Sequence, residues 1–80
     1  MSIRIVVVVK RVGPELYQAQ LRHAAGGNLL FFSRRVDRSS AAKREAERLF
    51  GTLRWQEPPE PLKQSEPEVA QVAYLNLEAR

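Results

Sequence analysis

The hydrophobic pattern of the chain starts with IRIVVVVKRV, which occupies residues 3–12. Isoleucine and valine fill most of this stretch, and both are β-branched residues that favour strands. Because its apolar centre is unbroken, the pattern predicts an interior strand that is buried on both faces. Gly13-Pro14 follows and predicts the end of the strand.

Two segments with a period of two come next, YQAQLRH at residues 17–23 and NLLFFSRRV at residues 28–36. Gly26-Gly27 lies between them and predicts a two-residue hairpin turn. That register sets three pairs on the core face: Leu21 opposite Phe32, His23 opposite Leu30, and Tyr17 opposite Val36. A helix over residues 15–24 is the alternative, and it would change the fold to βαβαβ.

The segment SSAAKREAERLFGTL, residues 39–53, has the period of a helix. Its apolar residues form one stripe that we expect to pack on the sheet: Ala42, Ala46, Leu49, Phe50 and Leu53. Ser39 is the predicted N-cap, with Asp37 close by, and Gly51 is the predicted end. Two pairs have the spacing of ordinary surface ion pairs, namely Glu45–Arg48 and Lys43–Glu47.

The segment QEPPEPLKQSEPE, residues 56–68, is rich in proline and glutamate. Its prolines predict an extended connector of the polyproline type, without helix. The apolar residues from Val72 to Leu77 then predict a final strand. A short helix that buries Val69, Val72 and Ala73 is the alternative for this segment.

Together these elements predict an α+β fold in the order β-β-β-α-β. It has an antiparallel sheet of three to four strands with one long helix packed on one face. Residues 1–55 make the β-β-β-α domain, residues 56–68 the connector, and residues 69–80 a C-terminal strand that packs on the same domain.

The second face of this sheet is expected to carry basic and polar side chains around Val6, Val8 and Phe31. Such a half-apolar face predicts a cover, and three are open: the chain's own C-terminal segment, a second copy, or a partner. The second copy leads us to predict a homodimer, since small domains are often stabilised by oligomerisation.

Charge is distributed unevenly along the 80 residues. Residues 1–55 carry eleven Lys and Arg against four acids, and residues 56–80 carry two against five, which gives +7 and −3. Either a polyanion would meet the first part of the chain, or the acidic residues 56–80 would fold back over the basic part. The sequence has no cysteine, no signal-peptide pattern and no apolar run of membrane-spanning length. These features predict a cytoplasmic protein without a membrane partner.

Residue types that carry catalysis or bind metals are scarce. His23 is the only histidine, and no residue is paired with it by a recognisable motif. HAAGGN lacks the spacing and the lysine of a phosphate-binding loop, so it predicts a turn. We therefore expect no enzymatic activity, no cofactor and no metal site.

Three strands followed by one helix, with bases on the sheet, resemble two kinds of phage protein. Residues 3–50 are similar to the DNA-binding arm domains of phage integrases, with IRIVVVV, YQAQLRH, LLFFSRR and SSAAKREAERLF in the four positions of the pattern. That resemblance implies a sheet that enters the major groove. The same plan resembles small phage-encoded anti-CRISPR proteins, which implies inhibition of a CRISPR complex by binding its protein subunits.

We therefore expect a non-enzymatic binding protein, of the anti-CRISPR kind, that docks on a protein or ribonucleoprotein complex of the host. The alternatives are direct DNA binding through the basic sheet face and an orphan structural subunit. The predicted binding residues are basic side chains, since arginine binds carboxylates and phosphates through a planar fork. They are Arg22, Arg34, Arg35, Arg38, Lys43 and Arg44.

Overall fold

A computed structural model describes residues 2–78 of the chain and the side chains of residues 3–76. These residues form β1 (Ser2–Gly13), β2 (Leu16–His23), β3 (Leu29–Phe32), α1 (Ser39–Phe50), α2 (Glu60–Ser65) and β4 (Val69–Glu78). The strands make one antiparallel sheet in the order β3-β2-β1-β4. The predicted α+β fold is confirmed, although α1 has only 12 residues and is not a long helix.

β1 is the interior strand that its composition predicts. It pairs with β2 on one side and with β4 on the other, and Ile5 to Val9 are buried. On one face Val7 packs with Ala19 of β2 and Ala46 of α1. On the other face Val6 and Val8 form a second cluster with residues of β4. One apolar strand therefore supplies the core on both sides of the sheet.

The hairpin of β2 and β3 is present, and a helix over residues 15–24 is not formed. Its predicted register is wrong near the turn. Leu21 lies opposite Phe31 and not Phe32, and the backbone N–H of His23 donates to the carbonyl of Asn28, so His23 is not opposite Leu30. A bulge between Leu21 and Arg22 and a loop longer than Gly26-Gly27 cause this shift. The pair Tyr17–Val36 is confirmed.

The shift moves Phe31 to a different face of the sheet. Because Phe31 pairs directly with Leu21, it lies on the α1 side, where it lines a small cavity with Leu49 and Phe50. The prediction that Phe31 lies on the second face is therefore wrong. Arg22, expected opposite Phe31, lies opposite Leu29.

The C-terminal end of α1 agrees with the sequence prediction, and the N-terminal end does not. Arg38 holds the N-cap position without a side-chain hydrogen bond, and Ser39 is already helical, so Ser39 is not the cap. Gly51 does end the helix, with φ 81° and its N–H donating to the carbonyl of Glu47 at 2.8 Å. The carboxylate of Glu47 accepts from the backbone N–H of Leu53 at 3.1 Å and forms no ion pair with Lys43 among the described side chains.

The connector is not fully extended, because Glu60–Ser65 forms α2. Pro61 is compatible with this helix because it stands in the first turn, where backbone N–H groups have no partner within the helix. Leu62 of α2 packs against Val6 and Val8, so the connector covers the part of the second face around these two valines, while Arg4 and Tyr74 stay exposed on the same face. The C-terminal strand is confirmed as β4, which lies beside β1 in the sheet.

We expect Gly51→Ala to lower the free energy of unfolding by about 1–3 kcal/mol, measured by urea denaturation. The backbone at Gly51, φ 81° and ψ −165°, belongs to a region that is essentially restricted to glycine. Gly26→Ala is the matched control, since a Cβ there would meet nothing closer than 3.9 Å and φ is not positive. Equal stability of the two variants would contradict the glycine requirement at the end of α1.

Candidate functional site

The second sheet face carries a closed cluster of three charged groups. The Nζ of Lys10 lies 2.8 Å from Oε1 of Glu66, and the guanidinium of Arg22 lies 2.6 Å from Oε2. A second Arg22 nitrogen donates to Oε1 at 2.9 Å and to the side-chain oxygen of Gln20 at 2.6 Å. Only 12% of the Arg22 side chain is exposed, so this arginine is already bound within the chain.

Glu66 reaches this position because of how α2 ends. Its backbone N–H donates to the carbonyl of Leu62 at 2.7 Å, and its carbonyl accepts from Val69 at 3.1 Å as β4 begins. The hydrogen bonds from Arg22 and then Lys10 lower the pKa of Glu66 from 4.5 to about 2. Glu66 therefore stays ionised over the physiological pH range and pairs with both Lys10 and Arg22, so the three groups together keep one positive charge.

The other predicted binding residues lie away from that face, between the end of β3 and the middle of α1. Arg34 and Arg35 follow β3, Arg38 precedes α1, and Lys43 and Arg44 belong to α1. The side chains of Arg34 and Arg38 are 73% and 70% exposed. We call these five residues the arginine cluster; Arg22 is separated from it by the sheet.

The acids near the arginine cluster leave it with a net positive charge. Arg34 lies 2.9 Å from Glu45, and that carboxylate is shared with Arg48 at 3.3 Å. The second distance confirms the predicted Glu45–Arg48 pair. Arg38 lies 3.5 Å from Asp37, with both side chains largely exposed. Such exposed pairs contribute at most about 1 kcal/mol each, so these arginines can exchange partners easily.

A second exposed surface, the apolar edge of the sheet, was not predicted from the sequence. All four residues of β3 are exposed, at 51%, 46%, 50% and 56% from Leu29 to Phe32, and Leu49 of α1 is 57% exposed. We call these five side chains the β3 patch. The sequence did not predict this surface, because an alternating pattern indicates a strand that buries one of its faces in the core. The signal that could have found it is the run LLFF itself, since four exposed apolar residues in a row are unusual without a function.

Part of the β3 patch and Arg34, one residue of the arginine cluster, line one groove. Phe31, Phe32 and Leu49 provide its apolar wall, and Arg34, Glu45 and Arg48 provide its charged wall. A further groove lies on the other side of the sheet, between α2 and the β2–β3 loop, where Arg22 and Glu66 are its charged residues. Because these two side chains already bind each other, that groove offers a ligand little unsatisfied charge.

The described residues form no candidate metal site. Within residues 2–78, no three His, Asp or Glu side chains lie close enough to hold a metal ion. Trp55 packs against the cluster of Val7, Ala19 and Ala46 instead of standing on the surface. Neither α1 nor α2, the helices in the described part of the chain, is long and apolar enough to cross a membrane.

Comparison with known proteins adds no assignment. No family model matches the chain, and neither the curated proteins nor the solved structures give a significant match.

We expect stability to fall with acid in a window set by Glu66. Because the folded-state pKa of Glu66 is lowered to about 2, its ionised form stabilises the fold above about pH 4.5. This contribution is lost as the pH falls from about 4.5 toward 2. Allowing for solvent screening, we expect a loss of about 1–2 kcal/mol in the free energy of unfolding.

The variant that tests this assignment is Glu66→Gln, with urea denaturation followed at several pH values. It should be less stable than the original protein at pH 7 and should lack the change between pH 4.5 and 2. Glu60→Gln is the control. Glu60 is 76% exposed, and its carboxylate lies 4.0 Å from Lys63, which makes this a weak ion pair. If both variants keep the original pH profile, the Lys10–Arg22–Glu66 cluster does not couple to folding.

Proposed function

We propose that this protein is a non-enzymatic binding protein that inhibits a nucleic-acid-handling complex of a host cell by docking on one of its protein subunits, as anti-CRISPR proteins do. It would act in the cytoplasm, without catalysis and without a cofactor. The observation that carries the proposal is the exposed arginine cluster between β3 and α1.

The distribution of bound and exposed cations supports this choice of surface. Lys10 and Arg22 on the sheet face are both paired with Glu66, and Leu62 of α2 packs over the neighbouring valines. A duplex that used this face would have to compete with Glu66 for these two cations and could not reach the valines under α2. This weighs against direct DNA binding through the sheet, the alternative that the sequence left open.

The chemistry of the arginine cluster favours an acidic protein surface as its partner. Each guanidinium can donate two parallel hydrogen bonds to one carboxylate, and arginine is enriched among the residues that dominate binding energies. Arg34 is held beside Glu45, which orients it and leaves most of its side chain exposed. Arg35 extends the same cluster without an ion pair to any described carboxylate.

Acidic groups elsewhere in the chain also favour a protein partner over nucleic acid. Glu57 and Glu60 are 86% and 76% exposed. Together with the net charge of −3 over residues 56–80 they would repel a polyphosphate backbone. A folded protein with a limited acidic surface can contact the arginines and avoid these glutamates.

We expect the double charge reversal Arg34→Glu with Arg35→Glu to abolish partner binding and to change stability by less than about 1 kcal/mol. Both side chains are exposed, and Glu45 keeps Arg48 as a partner. Binding is measured by affinity capture from host lysate with quantitative mass spectrometry, and stability by thermal unfolding.

The matched control is Arg11→Glu with Arg54→Glu, which makes the same change in net charge at exposed positions outside the arginine cluster. It should retain the captured protein. If the control loses it equally, net charge is responsible and the cluster is not the site. Steeply salt-dependent binding of the isolated protein to duplex DNA, with a slope of about −0.9 per phosphate contacted, would favour the nucleic-acid function instead.

A further inference from the structure

We propose that the β3 patch is the interface of a homodimer, in which the β3 strands of two copies lie antiparallel across a two-fold axis near Phe31. The sequence predicts a homodimer that forms through the second face of the sheet, which is a different surface. Since Leu62 of α2 covers Val6 and Val8, the apolar centre of that face no longer calls for a second copy. This inference uses a different surface and does not depend on the proposed function.

The two edges of the sheet differ in a way that points to β3. At the β4 edge, Gln56 exchanges two backbone hydrogen bonds with Val72, at 2.9 and 3.0 Å. At the other edge, no described element pairs with the outer side of β3. An open edge with apolar side chains is a template for pairing with another strand. The chain therefore pairs the β4 edge at Val72 and leaves the apolar β3 edge without a partner among the described residues.

The area of the β3 patch limits the strength of a dimer. A fully exposed side chain of this size presents roughly 200 Å². Its five side chains are each about half exposed, which gives about 500 Å² of apolar surface per copy. Phe31 is opposite Leu21 and Phe32 is opposite Gln20, so these two side chains lie on different faces and an edge-to-edge contact buries only part of this area. Two copies would bury less than about 1,000 Å², the lower end for specific interfaces, so we expect a weak dimer that forms in the high micromolar range.

The bulge in the hairpin decides what kind of contact stabilises the dimer. The pairing of β2 and β3 shifts between Leu21 and Arg22, where Leu30 is the additional residue on β3. Bulges and short edge strands limit backbone pairing with another chain. Side-chain burial by the β3 patch, more than a long hydrogen-bond ladder, would therefore hold the two copies together.

The positive charge of Arg34 beside the β3 patch is compatible with a second copy only if the two β3 strands are antiparallel. Arg34 stands three residues after Phe31, which places it roughly 10 Å from the axis at about 3.3 Å per residue. The two Arg34 side chains would then be about 20 Å apart, and screening at physiological ionic strength acts within about 8 Å. Each would face the uncharged segment Gly26–Asn28 of the other copy. A parallel arrangement would instead bring the arginines of both copies together.

The first test is sedimentation equilibrium of the full chain at several concentrations, for the original protein, Phe32→Lys and Leu16→Lys. Phe32 is 56% exposed in the patch, and Leu16 is 37% exposed outside it. We expect the original protein and Leu16→Lys to dimerise alike, and Phe32→Lys to weaken association at least tenfold. A monomer at high micromolar concentration would overturn the proposal, as would an unchanged dimer in Phe32→Lys.

The second test holds even if Phe32→Lys fails to fold. The chain has no cysteine, so Phe31→Cys introduces a single thiol close to the proposed axis. Facing residues of antiparallel strands are within the distance that a disulfide can bridge. We expect rapid oxidation to a covalent dimer, and only slow background dimerisation for Leu16→Cys. Equal rates for the two variants would contradict the two-fold axis near Phe31.

Discussion

The burial of β1 on both faces is the constraint on which the rest of the structure depends. Ile5 to Val9 form a continuous apolar run, so neither side of this strand can remain in water. β2 and β4 flank it within the sheet, α1 covers one face, and α2 covers the other. In a chain of 80 residues these covers use nearly every element that the described residues form.

The map of exposed charge follows from this constraint. When α2 lies on the second face, Lys10 and Arg22 lose part of their contact with water and need a counter-charge. Glu66 supplies it for both cations, which is why its pKa is lowered to about 2. The basic residues between β3 and α1 cover no core of this kind, so they stay exposed. Lys10 and Arg22 on the second sheet face therefore bind within the fold, whereas the basic residues between β3 and α1 remain exposed to solvent.

The parts of the fold that the sequence predicts well are those with a strong local cause. The β-branched run of β1, the helical period of α1 and Gly51 at its end belong to this group. The hairpin register was missed because a bulge depends on how β2 packs beside β1 and not on the glycines of the turn. α2 was missed because Pro61 argues against a helix interior but is compatible with a first turn. The charge asymmetry allows the acidic residues 56–80 to fold back over the basic part, and Glu66 does so, but the sequence does not identify Arg22 and Lys10 as the residues it contacts.

The bare edge of β3 is what remains once β1 has been covered. α1 is only three turns long, and it reaches the patch with Leu49 near its C-terminal end, so it shields little of β3. Packing inside one copy therefore leaves Leu29 to Phe32 about half exposed although each is strongly apolar. The apolar side chains of β3 and the basic residues that follow them are consequently adjacent along one edge, and Arg34 lines the same groove as Phe31, Phe32 and Leu49.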